Sequence, residues 1–318
     1  MQNHRSSRPP GRRRLLALLL LATGLVLPAC HPGNAEAKAL RTACDGGDAR
    51  ACNGLALRLQ TGQHVLRDDK RAAALLDVAC TGGVANGCSR LGVAYQDGQG
   101  VKRDSVRAVA LLTQGCDRGA MDGCTQLGVL YARGAGVTQD PARAATLQTK
   151  ACSGGDVPGC AFLGDLYAAG TGVMRDHSRA AQLLTKACDA KVWHGCVGLG
   201  RLHNAGTGVP RNDSLAAKLY QRACEASDNS GCLQLAIVHE AGLGVEQNFS
   251  LASSHYREVC EDRIGEACAR LAAMYDRGAG VRASAENALE FRKRACKAGH
   301  KESCPKPAAA KPAATQGS

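Results

Sequence analysis

A chain of 318 residues with 45% hydrophobic but only 3% aromatic side chains, 38 Gly and 17 Cys has little material for one large core built around rings. Its formal net charge of +12 is strung along the sequence, and neither a nucleic-acid-binding motif nor interleaving of aromatic with basic residues accompanies it, so a nucleic-acid partner is excluded.

Residues 1–14 carry five Arg and no acid and lead into the apolar run Leu15 to Val26. That run is shorter than the ~20 residues a membrane-spanning helix needs, so residues 1–29 read as a signal peptide. The segment ends in Leu27-Pro28-Ala29-Cys30, which resembles a lipobox and assigns Cys30 a lipid anchor, with residues 30–37 as a linker. His31 is not the Asp that, by resemblance to bacterial lipoproteins, retains such chains in the inner membrane, so the outer membrane is the expected address. Ala35-Glu36-Ala37 offers an ordinary cleavage site, and with it a periplasmic or secreted product. Without residues 1–29 the net charge falls from +12 to +7.

From about residue 38 to 304 one pattern recurs every 36 residues: Leu-Gly, then Tyr, Gly-x-Gly-Val, an Asx or Ser, an Ala-rich run and a Cys. Such a unit can bury its apolar stripe only against its neighbours, which predicts an all-α solenoid of a half-repeat cap and seven helix-turn-helix repeats. In the unit starting at Cys88 a first helix runs to about Asp97, Gly98 ends it, Gly100 tightens the turn, and Asp104 caps a second helix reaching about Cys116. Asp68, Asp140, Asp176, Asn212, Asn248 and Ser284 hold the same capping position. Gly92, Gly128, Gly164 and Gly200 sit inside first helices, where close approach of a neighbouring helix offsets their poor helix propensity. Arg71, Arg107, Arg143 and Arg179 recur once per repeat and read as a solvated helix face, with weak attraction to anionic envelope polymers or lipid headgroups as the functional alternative. Residues 305–318 lack periodicity and read as a disordered tail.

Sixteen of the 17 Cys fall into this register, leaving Cys30 as the odd one. Pairing within hairpins would orphan Cys44 and Cys304, whereas Cys-x7-Cys pairing uses every residue. The expected bridges are Cys44-Cys52, Cys80-Cys88, Cys116-Cys124, Cys152-Cys160, Cys188-Cys196, Cys224-Cys232, Cys260-Cys268 and Cys296-Cys304. Thiolate metal sites use shorter spacings, so no metal and no cofactor is expected.

Cys-x2-Leu-Gly-x2-Tyr-x2-Gly-x-Gly-Val-x2-Asp, with its 36-residue period and Cys-x7-Cys spacing, resembles the Sel-one-like repeat family in its cysteine-rich, Hcp-type bacterial branch. The resemblance implies a right-handed α/α superhelix related to tetratricopeptide arrays, with one disulfide per repeat and first helices lining a concave surface. It also implies an adaptor for protein complexes, or, as in some cysteine-rich members, a penicillin-binding protein or slow β-lactamase. Departures are Leu59, His203 and His239 for Tyr, His64 for the second Gly, and Lys191, Ser227 and Arg263 for the Gly between repeats, where different turns are expected.

A serine β-lactamase needs Ser-x2-Lys, Ser-Asp-Asn and Lys-Thr-Gly around one pocket. Ser227-Asp228-Asn229 lies in an inter-repeat loop, the one Ser-x2-Lys, Ser303 to Lys306, runs into the tail, and Lys-Thr-Gly is absent. His203 and His239 read as packing substitutes for Tyr and Trp193 as a packing residue. The expected function is therefore a monomeric envelope lipoprotein scaffold that binds a protein or peptide in its groove, with β-lactam or peptidoglycan-fragment binding, and possible hydrolysis, as the alternative. The groove residues are those that vary after the second Cys while the packing positions hold. They are Arg90, Val93, Asp97, Gln126, Val129, Arg133 and Phe162, continuing with Asp165, Arg201, Gln234, Ile237, Arg270 and Arg277, all expected to face solvent.

Overall fold

Each 36-residue unit is too short to bury its own apolar face, and helices cap and stack accordingly. The computed structural model describes residues 32–304; Cys30, the leader and the tail lie outside them. The helices are α1 (Pro32–Asp45), α2 (Ala49–Thr61), α3 (Asp69–Thr81), α4 (Ala85–Asp97), α5 (Ser105–Asp117), α6 (Met121–Arg133), α7 (Pro141–Ser153) and α8 (Val157–Ala169). They continue with α9 (His177–Asp189), α10 (Trp193–Ala205), α11 (Asp213–Glu225), α12 (Asn229–Ala241), α13 (Phe249–Glu261), α14 (Gly265–Arg277) and α15 (Ala285–Lys297), and a short 3-10 turn, Lys301–Ser303, follows. No strand occurs among the described residues.

The second helices begin as their caps dictate: Asp104 Oδ1 accepts the Arg107 N–H at 2.9 Å, and all six equivalent residues cap in the same way. The first helices begin three residues earlier than the repeat pattern indicates, at Ala85 rather than Cys88. Their caps come from the inter-repeat turn, where Asp48, Asp156 and Asp228 supply a side-chain oxygen and Val84, Ala120, Val192 and Ile264 supply none. Because only three of seven junctions carry the acid, the signal was too sparse to mark the start.

Two close approaches set the packing. A Cβ on Gly92 would stand 2.7 Å from Leu112 Cγ of α5, so the missing side chain is what lets the two helices of a hairpin touch. A Cβ on Gly87, the residue before Cys88, would stand 2.8 Å from Ala79 Cβ and 3.1 Å from the Cys80 amide of α3. This second approach brings the end of one hairpin against the start of the next, and the eight Cys-x7-Cys disulfides close there, with Cα separations of 4.4–4.8 Å. On the chain-entropy model each closes a loop short enough to add about 2–3 kcal/mol. The core is then a run of small local clusters of Leu, Ala and Cys, widened by Tyr220 and Tyr256 where Leu112 and Gln148 stand in earlier repeats.

The turns at the departures do not change type. Lys191, Ser227 and Arg263 take positive φ of 61°, 63° and 63°, where glycines at the same junction have 86–94°. The hydrogen bonds survive: Lys191 N–H reaches Cys188 O at 3.0 Å, as Gly83 N–H reaches Cys80 O at 3.1 Å. The disulfide and the stacked helices over-determine this turn, so a side chain is accommodated in left-handed backbone at a cost of about 1 kcal/mol. Replacing Lys191 or Arg263 by Gly should therefore raise stability by about 0.5–1 kcal/mol each. Chemical denaturation of the oxidised protein reads this directly, and a lower midpoint for both variants would mean that these side chains are held without strain.

Candidate functional site

Consecutive first helices touch along α4, α6, α8, α10 and α12, while the second helices make no comparable contact with one another. The array therefore curves toward its first helices, and the residues chosen as groove positions fall on this inner side. Asp97, Arg133, Arg201 and Arg277 are exposed, as expected. Arg90, Val93, Gln126, Val129, Phe162, Asp165, Gln234, Ile237 and Arg270 are half-buried instead. The reason is the contact between neighbouring first helices, which covers part of every such position; Val93 and Ile237 pack against core clusters and do not stand free as apolar anchors.

Two polar knots form on this face. In the first, Asp165 of α8 is bound on both oxygens by α10: His194 Nε2 lies 2.5 Å from Oδ2, and Arg201 donates to Oδ1 at 3.2 Å. Phe162 lies against the His194 ring with centroids 4.9 Å apart. In the second, Glu240 of α12 accepts from Arg277 at 2.8 Å and from the Tyr256 hydroxyl at 2.7 Å, with Arg270 3.8 Å away and itself bonded to Glu266 at 3.1 Å. Burial first, and then the bond to Glu240, raises the Tyr256 pKa; burial raises that of Tyr220 to about 12. Glu240 and His194 were not singled out from the sequence as groove residues. A usable signal existed, since Asp165 and Arg201 are opposite charges at the same place in successive repeats, as are Glu240 and Arg277 one residue out of register. Asp97 and Arg133 share that spacing, yet both remain exposed and unpaired among the described residues.

The arginines read as a solvated face prove more specific. Arg107, Arg143 and Arg179 lie over the rings of Tyr95, Tyr131 and Tyr167 at 4.5, 4.5 and 4.7 Å. Where the ring is lost at His203 and His239, the arginine position is Leu215 and Leu251, whereas Tyr275 keeps its ring with Asn287 at that position. Arg71 faces the repeat in which Leu59 replaces Tyr.

The histidines at Tyr positions serve packing. His203 Nδ1 meets Pro210 O at 3.1 Å, and His239 stacks on His255 with centroids 6.4 Å apart. Ser227-Asp228-Asn229 is a turn and a cap: Ser227 has positive φ and Asp228 Oδ1 accepts the Gly231 N–H at 2.8 Å. Among the described residues no cluster of three or more His, Cys, Asp or Glu could hold a metal ion, and no helix is long and apolar enough to cross a membrane.

The model of the Sel1 repeat matches residues 49–84, 85–119, 122–156, 157–192, 193–228, 229–261 and 265–300. The chain belongs to the Sel1 repeat family. This Sel1 repeat protein is similar to a protective antigen present in uropathogenic Escherichia coli that displays an SLR fold, at 27% identity and a TM-score of 0.58, covering 84% of this chain and 57% of that one. A Sel1 repeat protein from Oxalobacter formigenes shares the fold at 24% identity and a TM-score of 0.58, over 84% of this chain and 77% of that one. The repeat scaffold is of the kind that mediates protein–protein interaction, and its density of disulfides is that of an exported protein. No curated protein matches the chain.

Acid should loosen the sixth repeat. Burial, partly offset by Glu258, lowers the His255 pKa, and the facing His239 lowers it further. The unfolded chain then binds the proton more readily than the folded one, so this contribution is present above the unfolded pKa of about 6.5 and is lost as the pH falls. The residue at the same place in five other repeats is Leu75, Leu111, Leu147, Leu183 or Leu219. His255→Leu should flatten the fall in melting temperature below pH 6.5, and an unaltered slope would show that His255 has no part in it.

Proposed function

We propose that this Sel1 repeat protein is an exported scaffold, anchored to the envelope through a lipid on Cys30, that holds a protein or peptide segment on its inner face. The observation that carries this reading is the face itself: a constant framework of Leu, Gly and Cys presents one continuous strip of residues that differ from repeat to repeat. At its middle, Phe162 stands beside the Asp165–His194–Arg201 knot, with Arg133 exposed one repeat before. An aromatic ring next to fixed guanidinium groups is the composition of interface hot spots, and an extended segment can follow the strip from repeat to repeat. Half-burial of Phe162 strengthens this reading, because the ring is pre-positioned and loses little freedom on binding. The alternative drawn from resemblance, action on β-lactams, is left with Ser227-Asp228-Asn229, whose turn and capping roles are already accounted for.

Two measurements test the proposal. Capture of a crosslinked partner should fall at least about tenfold when Phe162→Ala is combined with Arg133→Glu and Arg201→Gln, in a variant shown by circular dichroism to remain folded. Unaltered capture would move the site off the inner face. Cys30→Ala should transfer the processed protein from the membrane fraction to the soluble fraction, and a variant that stays with the membrane would remove the lipid anchor from the proposal.

A further inference from the structure

The within-repeat loops lie along one edge of the array, since each packs on its predecessor: a Cβ on Gly172 would stand 2.0 Å from Pro141 O, at the start of the preceding second helix. Along this edge stand the three most exposed large apolar side chains of the described residues, Leu66 at 91%, Met174 at 88% and Val106 at 69%. All three fall within the first four hairpins, at loop tips or in the first turn of a second helix.

Cations flank each of them. Arg67 follows Leu66, Lys102 and Arg103 precede Val106 with Arg107 after it, and Arg175 follows Met174. The acids of the same segment are already engaged. Asp68, Asp104, Asp140 and Asp176 accept backbone N–H groups as caps, and Asp69 pairs with Arg67 at 2.9 Å. Lys102, Arg103, Arg107 and Arg175 have no carboxylate within ion-pair distance among the described residues, and Arg107 is held in place over Tyr95. Beyond the fourth hairpin no exposed apolar tip recurs: Pro210, Glu246 and Arg282 stand at the tips, Arg211 is paired with Asp213 at 2.8 Å, and Leu215, Leu251 and Asn287 take the arginine position. The opposite edge is mixed in charge: Asp45, Asp117, Asp189, Glu225 and Glu261 each follow the first Cys of a bridge, and Arg118, Lys186, Lys191, Arg263 and Lys297 stand among them.

We propose that the loop edge of the first four hairpins is a docking surface for an anionic lipid bilayer, with Leu66 and Met174 entering the headgroup region and the unpaired guanidinium and ammonium groups between them meeting lipid phosphates. A soluble polyanion satisfies the cations but offers nothing to side chains about nine-tenths exposed at loop tips, whereas an apolar tip beside a cation suits the polar–apolar boundary of a membrane. This contact is separate from the inner face and from Cys30, so its failure leaves both untouched.

The test uses the Cys30→Ala protein, purified after export with its processed N-terminus verified by mass spectrometry, and sedimentation with vesicles of phosphatidylcholine alone or mixed with phosphatidylglycerol. Binding to the anionic vesicles should exceed binding to neutral ones by about tenfold or more and weaken with salt. Leu66→Asp with Met174→Asp should cost about tenfold, as should Arg103→Glu with Arg175→Glu, all without change in melting temperature. Lys218→Glu with Leu289→Asp, at exposed sites off this edge, should leave binding as it was. Equal binding to both vesicle types overturns the proposal, as does a loss in the off-edge variant equal to that of the edge variants. Tight binding to dextran sulfate with vesicle binding indifferent to Leu66→Asp and Met174→Asp would make the edge a polymer site and overturn the lipid assignment.

Discussion

Everything in this solenoid depends on how near a first helix can come to the second helices on either side of it. In α4 the absent side chains of Gly87 and Gly92 open both contacts, one toward α3 and one toward α5, within two turns of helix. Bulk at Gly92 would push the hairpin apart, and bulk at Gly87 would separate the backbones that Cys80 and Cys88 bridge. The disulfide is therefore a consequence of packing as much as a cause of it: the helices reach covalent distance because small residues let them, and the bond then holds the arrangement against the unfolded chain. Where Ala267 replaces the glycine before Cys268, the bridge still closes, with the Cα atoms at the long end of the range, 4.8 Å.

Period, spacing and the caps of the second helices were legible because each is repeated, so an ambiguous residue in one unit is resolved by its counterparts in six others. The same repetition explains the pairing of Cys44 with Cys52, which the odd ends of the array require. What the sequence did not disclose is how neighbouring units shade one another. Ile237 is variable and apolar and looks free in one dimension, yet the adjacent first helix half-covers it. Arg143 looks like one more surface cation until the fold lays it across Tyr131. Both facts belong to the relation between helices rather than to any helix, and a period in sequence states that relation only as a number. The turns erred the other way: a side chain at Lys191 suggested a new turn, but the junction constrains the backbone more strongly than the residue resists it.

The inner and outer surfaces divide the chemistry. The inner face ties Asp165 to Arg201 and Glu240 to Arg277 across successive repeats, while Asp97 and Arg133 remain unpaired among the described residues. The loop edge pairs Arg67 with Asp69 and Arg211 with Asp213 but leaves Lys102, Arg103 and Arg175 without a carboxylate among the described residues.

The strained junctions are not scattered. Lys191, Ser227 and Arg263 are three in a row, whereas every junction before them, and the last at Gly299, has glycine in left-handed backbone. In an array whose free energy is a sum over nearest neighbours, about 1 kcal/mol at each of three adjacent interfaces adds up locally instead of averaging over the molecule. The result is a softer stretch at three adjacent junctions, apart from the single strained turn at His64 in the first hairpin. Amide protons from α10 to α14 would exchange through openings confined to that stretch, ahead of those in α4 to α8, where every left-handed turn residue is glycine.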